Sequence, residues 1–251
     1  MNPAGAVALV AGGASGLGRA TAEALRERGA TVVVLDLEQG LERGSVPDEL
    51  HPVAADVRDE EAVARAISHA ETLGSLRICV NCAGIGDPAL TARDGIPLDL
   101  DRFRRVIDVN LVGTFNVTRL AAAGMQRSAE PVDGERGVIV NTASVAAFEG
   151  QMGQISYAAS KGGIASMTIV LARDLARSQI RCVTIAPGIF DTPLLGELSD
   201  EVRAALAASV PHPARLGLPS EYAKLALHVV ENPMLNGEVI RLDGALRMAP
   251  R

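Results

Sequence analysis
The chain has 251 residues, 48% hydrophobic and only 2% aromatic, with a formal net charge of −6. That length suits one large domain with a sizeable core, and the acidic balance argues against general binding to nucleic acid or an anionic membrane, which needs a basic face. No apolar run reaches the length of a membrane span, and Met1-Asn2-Pro3-Ala4-Gly5 has neither a basic leader nor a transit-peptide composition, so a cytoplasmic location is expected.

Residues 6–11 are a short, continuous apolar run, the pattern of a buried parallel strand. They lead into Gly12-Gly13-Ala14-Ser15-Gly16-Leu17-Gly18, and a helical pattern follows over 19–28. A turn this tight needs glycine dihedrals and lets a phosphate approach the backbone. The helix N-terminus offers free N–H groups and a positive dipole end to a pyrophosphate. Between a strand and a helix, the motif predicts a dinucleotide site. The next strand, 31–35, ends at Asp36. An acid there grips the adenosine ribose through its 2′-hydroxyl and repels a 2′-phosphate. No Lys or Arg stands at residues 13–15 or at Leu37, so NAD is favoured over NADP.

A loop with Gly40, Gly44 and Pro47 leads to a third strand, 51–55, ending in Asp56-Val57. Asp59 caps a helix over 59–72, with apolar positions at Ala62, Val63, Ala66, Ile67 and Ala70. The fourth strand, 78–81, ends in Asn81-Cys82-Ala83-Gly84, where small residues would let a cofactor lie close. Cys79 and Cys82 have CxxC spacing, but no second Cys/His pair stands at finger spacing. With Cys182 they read as buried, reduced thiols, and no metal is expected. Residues 100–125 form one long helical pattern, and Asn110 interrupts its apolar face. A buried Asn there needs hydrogen-bond partners.

A polar loop, 126–136, precedes the apolar strand 137–142 and Ser144. Tyr157 and Lys161 follow on a helix reaching about residue 178. Four residues apart, they share one helix face. A lysine ammonium beside a phenol lowers the phenol's pKa from about 10, and such a tyrosine can exchange a proton with an alcohol near neutral pH. Ser144 would fold back beside it. A sixth strand, 181–186, ends in Pro187-Gly188. Residues 189–219 are proline-punctuated, with a short helical piece over 200–209, and read as a substrate lid rich in Leu194, Leu195, Leu198 and Leu206. Ser220 caps a last helix to 231, and 238–242 is a closing strand. Alternating strands and helices predict an α/β fold: a single doubly wound, seven-stranded parallel sheet with helices on both faces.

These motifs together resemble the short-chain dehydrogenase/reductase family over essentially the whole chain. The family's glycine motif matches Gly12, Gly16 and Gly18, although its usual leading Thr is Ala11 here. Its NNAG motif appears as Asn81-Cys82-Ala83-Gly84, and its tetrad matches Asn110, Ser144, Tyr157 and Lys161. The strings NTASVAAFEGQ, IAPGIFDTPLL and NGEVIRLDGALRM resemble the type-2 3-hydroxyacyl-CoA dehydrogenase branch, whose members also oxidise some hydroxysteroids. That resemblance implies NAD contacts from Ser15, Leu17, Asp36, Asp56, Val57, Cys82, Phe190 and Thr192, and a substrate contact from Gln151. It implies a homotetramer built partly through the helices starting near Leu100 and Tyr157. It further implies that Ser144 binds the substrate oxygen and Tyr157 moves the hydroxyl proton. Lys161 holds the cofactor ribose, Asn110 anchors a relay water, and Thr192 with Pro187-Gly188 holds the nicotinamide. The alternatives are an acyl-carrier-protein 3-oxoacyl reductase, a steroid or small-alcohol dehydrogenase, and an inactive NAD-binding scaffold. Arg203 and Arg215 are candidates for the CoA phosphates.

Overall fold
Short apolar strands alternating with amphipathic helices build one seven-stranded parallel sheet. The structure, a computed structural model, describes residues 1–128, 130–196 and 199–250; Leu198 of the expected lid lies outside the described residues. In chain order the sheet strands are β1 (Val7–Ala11), β2 (Thr31–Asp36), β3 (Pro52–Ala54) and β4 (Leu76–Asn81). A small exposed hairpin, β5 (Ala92–Arg93) and β6 (Ile96–Pro97), stands apart. The sheet continues with β7 (Gly137–Thr142), β8 (Ile180–Pro187) and β9 (Val239–Leu242). Its order is β3-β2-β1-β4-β7-β8-β9. The order reverses between β1 and β4, where a ligand crevice opens beyond the strands' carboxyl ends.

Because strand side chains alternate, each strand feeds two cores. Val7, Leu9, Ala11, Leu35, Cys79 and Ile139 pack on one face against α3 (Glu60–Leu73) and α5 (Gly113–Ser128). Ala8, Val10, Val34, Val80 and Val140 pack on the other against α1 (Gly16–Glu27) and α8 (Pro219–Glu231). The burial on both faces explains why the strands read as continuous rather than alternating apolar runs.

Three expectations need correction. Residues 38–44 are not loop but a short helix, α2 (Glu38–Gly44), whose Leu41 packs on the α1/α8 core. Its glycines serve close packing: a Cβ at Gly40 would lie 2.6 Å from Asp36 Oδ1. The long helix is divided into α4 (Leu100–Ile107), a π-helical stretch over Asp108–Val112 and α5. That widened turn carries Asn110. Helix α8 is capped not by Ser220 but around Leu218, whose N–H donates to Glu221. The Tyr157 helix, α6 (Ile155–Leu175), reaches its expected end near residue 178 through a 3₁₀ turn over Ala176–Ser178.

Candidate active site
The first cradle lies where β1 meets α1. Gly12 has φ +74°, and a Cβ there would sit 2.5 Å from Ala83 N. Only glycine lets the two strand-end turns touch. Ala11 O accepts from Cys82 N at 2.8 Å, so the two departures from the family motif meet through backbone. Ser15, the N-cap of α1, makes no side-chain capping bond, which leaves the first helical N–H groups facing the cleft. At the end of β2, Asp36 accepts from Ala14 N (3.0 Å) and Leu37 N (2.8 Å), which aims its carboxylate at the cleft. These residues line a cavity of about 560 Å³.

A second cavity, about 370 Å³, opens beside it. Leu17, Cys82, Gly84, Thr192 and Leu194 line both, so the cleft is continuous. Ser144, Tyr157 and Lys161 stand on the second wall with Gln151, Pro187, Gly188 and Phe190. Asp56, Val57 and Ala83 stand on the first with Gly12, Gly16 and Gly18. Each sequence-predicted cofactor residue therefore reaches one wall or the other.

Lys161 is 4% exposed and donates to Thr142 O at 2.8 Å. Thr142 Oγ1 in turn pairs with the fully buried Tyr222 hydroxyl at 2.6 Å. Tyr222, on α8, is a part of this network that no local motif signalled. Cys82 Sγ lies within 3.5 Å of Thr142 Oγ1 and 3.7 Å of the Tyr222 hydroxyl, where the family motif has an amide. Burial pushes the Cys82 thiol above its ordinary value. All three cysteines are free.

The expected tuning of Tyr157 is reversed. Lys161 Nζ is 5.6 Å from the Tyr157 ring centroid. Burial pushes the phenol above its ordinary value, against a hydrogen bond with Ser144. Burial acts on the lysine as well and brings it down to about 8. Desolvation wins because both groups lie under the cleft wall rather than on an open helix face.

Asn110 does not reach the cavity wall through its side chain. Its Oδ1 accepts from Ile85 N (2.8 Å), and its Nδ2 donates to Ile85 O (3.0 Å) and Ser160 Oγ (3.1 Å). It ties the loop after β4 to α6. Two cations that sequence reasoning missed, Arg43 and Arg58, line the dinucleotide cavity. Arg58 is held by Asp56, and Arg43 reaches the wall because α2 turns it back. Arg203 and Arg215 are engaged by Asp191 and Glu221.

The model of the short chain dehydrogenase family matches residues 6–203. A 3-hydroxyacyl-CoA dehydrogenase type-2 from Bos taurus is 53% identical over 98% of this chain and 97% of its own length.

The chain belongs to the short-chain dehydrogenase family. A crystal structure of 3-hydroxyacyl-CoA dehydrogenase type-2 from Mycobacterium avium superposes on it with a TM-score of 0.91 at 44% identity, covering 98% of both chains. A 3-ketoacyl-(acyl-carrier-protein) reductase from Brucella melitensis, complexed with NADH, superposes with a TM-score of 0.85 at 31% identity. It is covered over 100% of its length, and this chain over 98%. As expected of a short-chain dehydrogenase, the first cavity fits a dinucleotide: a glycine cradle that a Cβ would fill, an uncapped helix N-terminus and an acid at the end of β2. Among the described residues no group of His, Cys, Asp and Glu could hold a metal ion, and no helix is long and apolar enough to cross a membrane.

Proposed function
We propose that this short-chain dehydrogenase transfers hydride between NAD and the 3-hydroxy or 3-oxo group of an acyl-CoA. The observation that carries the reading is the end-to-end match at 53% to a 3-hydroxyacyl-CoA dehydrogenase type-2, against 31% for the carrier-protein reductase. Asp36 on the adenosine side of the cleft supports NAD over NADP. The NADH-bound Brucella melitensis structure supports the same cofactor.

The chemistry falls to three side chains. NAD, when bound, takes or returns the hydride. Ser144 hydrogen-bonds the substrate oxygen, and Tyr157 exchanges a proton with that oxygen as the carbon changes oxidation state. Lys161, held by Thr142 O, supplies a buried cation beside the cofactor ribose and the developing phenolate. Asn110 is a positioning residue, whose side chain ties the loop after β4 to α6 through Ile85 and Ser160. Gln151 lines the substrate side. Residues 189–219 act as a lid within one domain, pinched at its base by Asp191 N–Gly217 O and Gly217 N–Ile189 O, both 2.9 Å.

The assembly is a homotetramer. Val112, Phe115, Ile169 and Val170, on α5, α6 and the turn before α5, are exposed apolar groups that a second copy would cover. A cytoplasmic location fits three free thiols. The substrate class is tested by comparing kcat/KM for acetoacetyl-CoA, the matching carrier-protein thioester and a ketosteroid, each with NADH. The CoA thioester is expected to be best; a better carrier-protein or steroid substrate would overturn the assignment.

A further inference from the structure
We propose that the strap of residues 244–250 sets the acyl chain length this enzyme accepts, through Met248. The proposal rests on the acyl-CoA reading above. Met248 lines the catalytic cavity with Ser144, Tyr157 and Leu206. The cavity is about 370 Å³, and the residues it shares with the dinucleotide cavity leave part of that to the cofactor, so it takes the acyl end of the substrate and not the whole coenzyme. The family model stops at residue 203, so the strap lies outside the part it matches.

Met248 is not placed by chance. Leu246 is 2% exposed and anchors the strap in the protein. Arg241, on β9, bridges the Glu149 carboxylate at 2.8 and 3.2 Å, Asp243 at 2.7 Å and Leu246 O at 3.0 Å. The same Glu149 carboxylate accepts the Met248 N–H at 3.0 Å. The strap then runs along the loop between Ser144 and α6. Gln151 Nε2 donates to Ala249 O at 3.1 Å, and Met152 N donates to Pro250 O at 3.1 Å. Ala249 O can only accept, so the strap also fixes which end of the Gln151 amide faces it.

The two apolar walls differ. Leu194, Leu195 and Leu206 belong to the lid, which must move to admit substrate. Met248 belongs to a segment clamped by a bidentate Arg–carboxylate pair and main-chain bonds. A clamped wall limits length; a moving one does not. Methionine is apolar and unbranched, which suits contact with a flexible alkyl chain.

The test measures kcat/KM for C4, C8 and C12 3-oxoacyl-CoA with NADH in unmutated, Met248→Trp, Met248→Ala and Glu149→Gln proteins. The expected result is a C12-to-C4 ratio at least tenfold lower in Met248→Trp and raised in Met248→Ala. Glu149→Gln, which loosens the clamp and leaves Met248 in place, should move the ratio toward longer chains. NADH fluorescence titration checks that each variant folds; if the Trp variant does not, the other two decide. Ratios within twofold of the unmutated value, or equal losses at every length, would overturn the strap proposal alone. An unmutated protein inactive on every CoA thioester would overturn the acyl-CoA reading, and the strap proposal with it.

Discussion
Asp36 and Lys161 show how far single residues carry the account. Asp36 offers a carboxylate to the ribose side of the cleft, and NAD should be used far better than NADP. Asp36→Ala with Leu37→Arg should relax or reverse that preference, because it removes the repulsion and adds a cation beside Arg43. Equal kcat/KM for NADH and NADPH in the unmutated enzyme would remove this role. Lys161 makes a prediction about stability. Burial brings its pKa from 10.5 to about 8, so the folded state binds fewer protons than the unfolded state between those values. Below pH 8 the buried charge costs stability in full; as pH rises to 10.5 the cost disappears. Lys161→Met lacks this dependence. Its stability relative to the unmutated protein should therefore fall by up to roughly 3 kcal/mol between pH 7 and pH 10.5 in urea unfolding. A difference that does not vary with pH would contradict the buried, titrating lysine. The spacing of Tyr157 and Lys161 was readable from the sequence, but the direction of their pKa shifts was not. Spacing gives proximity, whereas desolvation depends on the cleft walls that distant segments supply.

Among the elements, the proposed lid is the one whose motion can be tested. The 3₁₀ turn at Pro193–Leu195 and α7 (Asp200–Ala208) stand beyond β8, joined to the body through the Phe190–Gly217 bridge. None of α7's residues is buried, which places it at the low end of local stability. Amide hydrogen exchange over 192–219 should be fast without substrate and slow with NADH and an acyl-CoA analogue bound. Protection gained elsewhere but unchanged there would take the lid out of the account. Sequence reading found this segment by its prolines and lost periodicity. It missed α2 because Gly40 and Gly44 look like loop residues, although Gly40 is small so that the helix can lie against Asp36. It read α4 and α5 as one helix because a π-helical stretch leaves the apolar pattern nearly unbroken.

For the molecule as a whole, the doubly wound parallel sheet followed from the alternation of short apolar runs with helical patterns, whereas the strand order and its reversal between β1 and β4 came only with the fold. The cleft's glycine and acid residues were legible for the same reason: each ends a strand. Arg43, Tyr222 and Met248 were not, since they reach the cleft from α2, α8 and the strap only when the chain is folded. The apolar residues exposed on α5 and α6 are the surface that the proposed tetramer would cover. Light scattering should give a tetramer, and Phe115→Glu with Val170→Glu should shift it to smaller species. An unmutated protein that stays monomeric at micromolar concentration would contradict that assembly.

The central claim is that Tyr157 moves the proton in an NAD-linked oxidation or reduction at the substrate's third carbon. The most direct measurement is acetoacetyl-CoA reduction by NADH in unmutated and Tyr157→Phe proteins, with NADH affinity measured on both. The account predicts a ~10²–10⁴-fold loss of kcat in the variant, the range for a positioned acid–base group, with NADH affinity nearly unchanged. Near-normal turnover by Tyr157→Phe would contradict it, since the proton would then travel through another group.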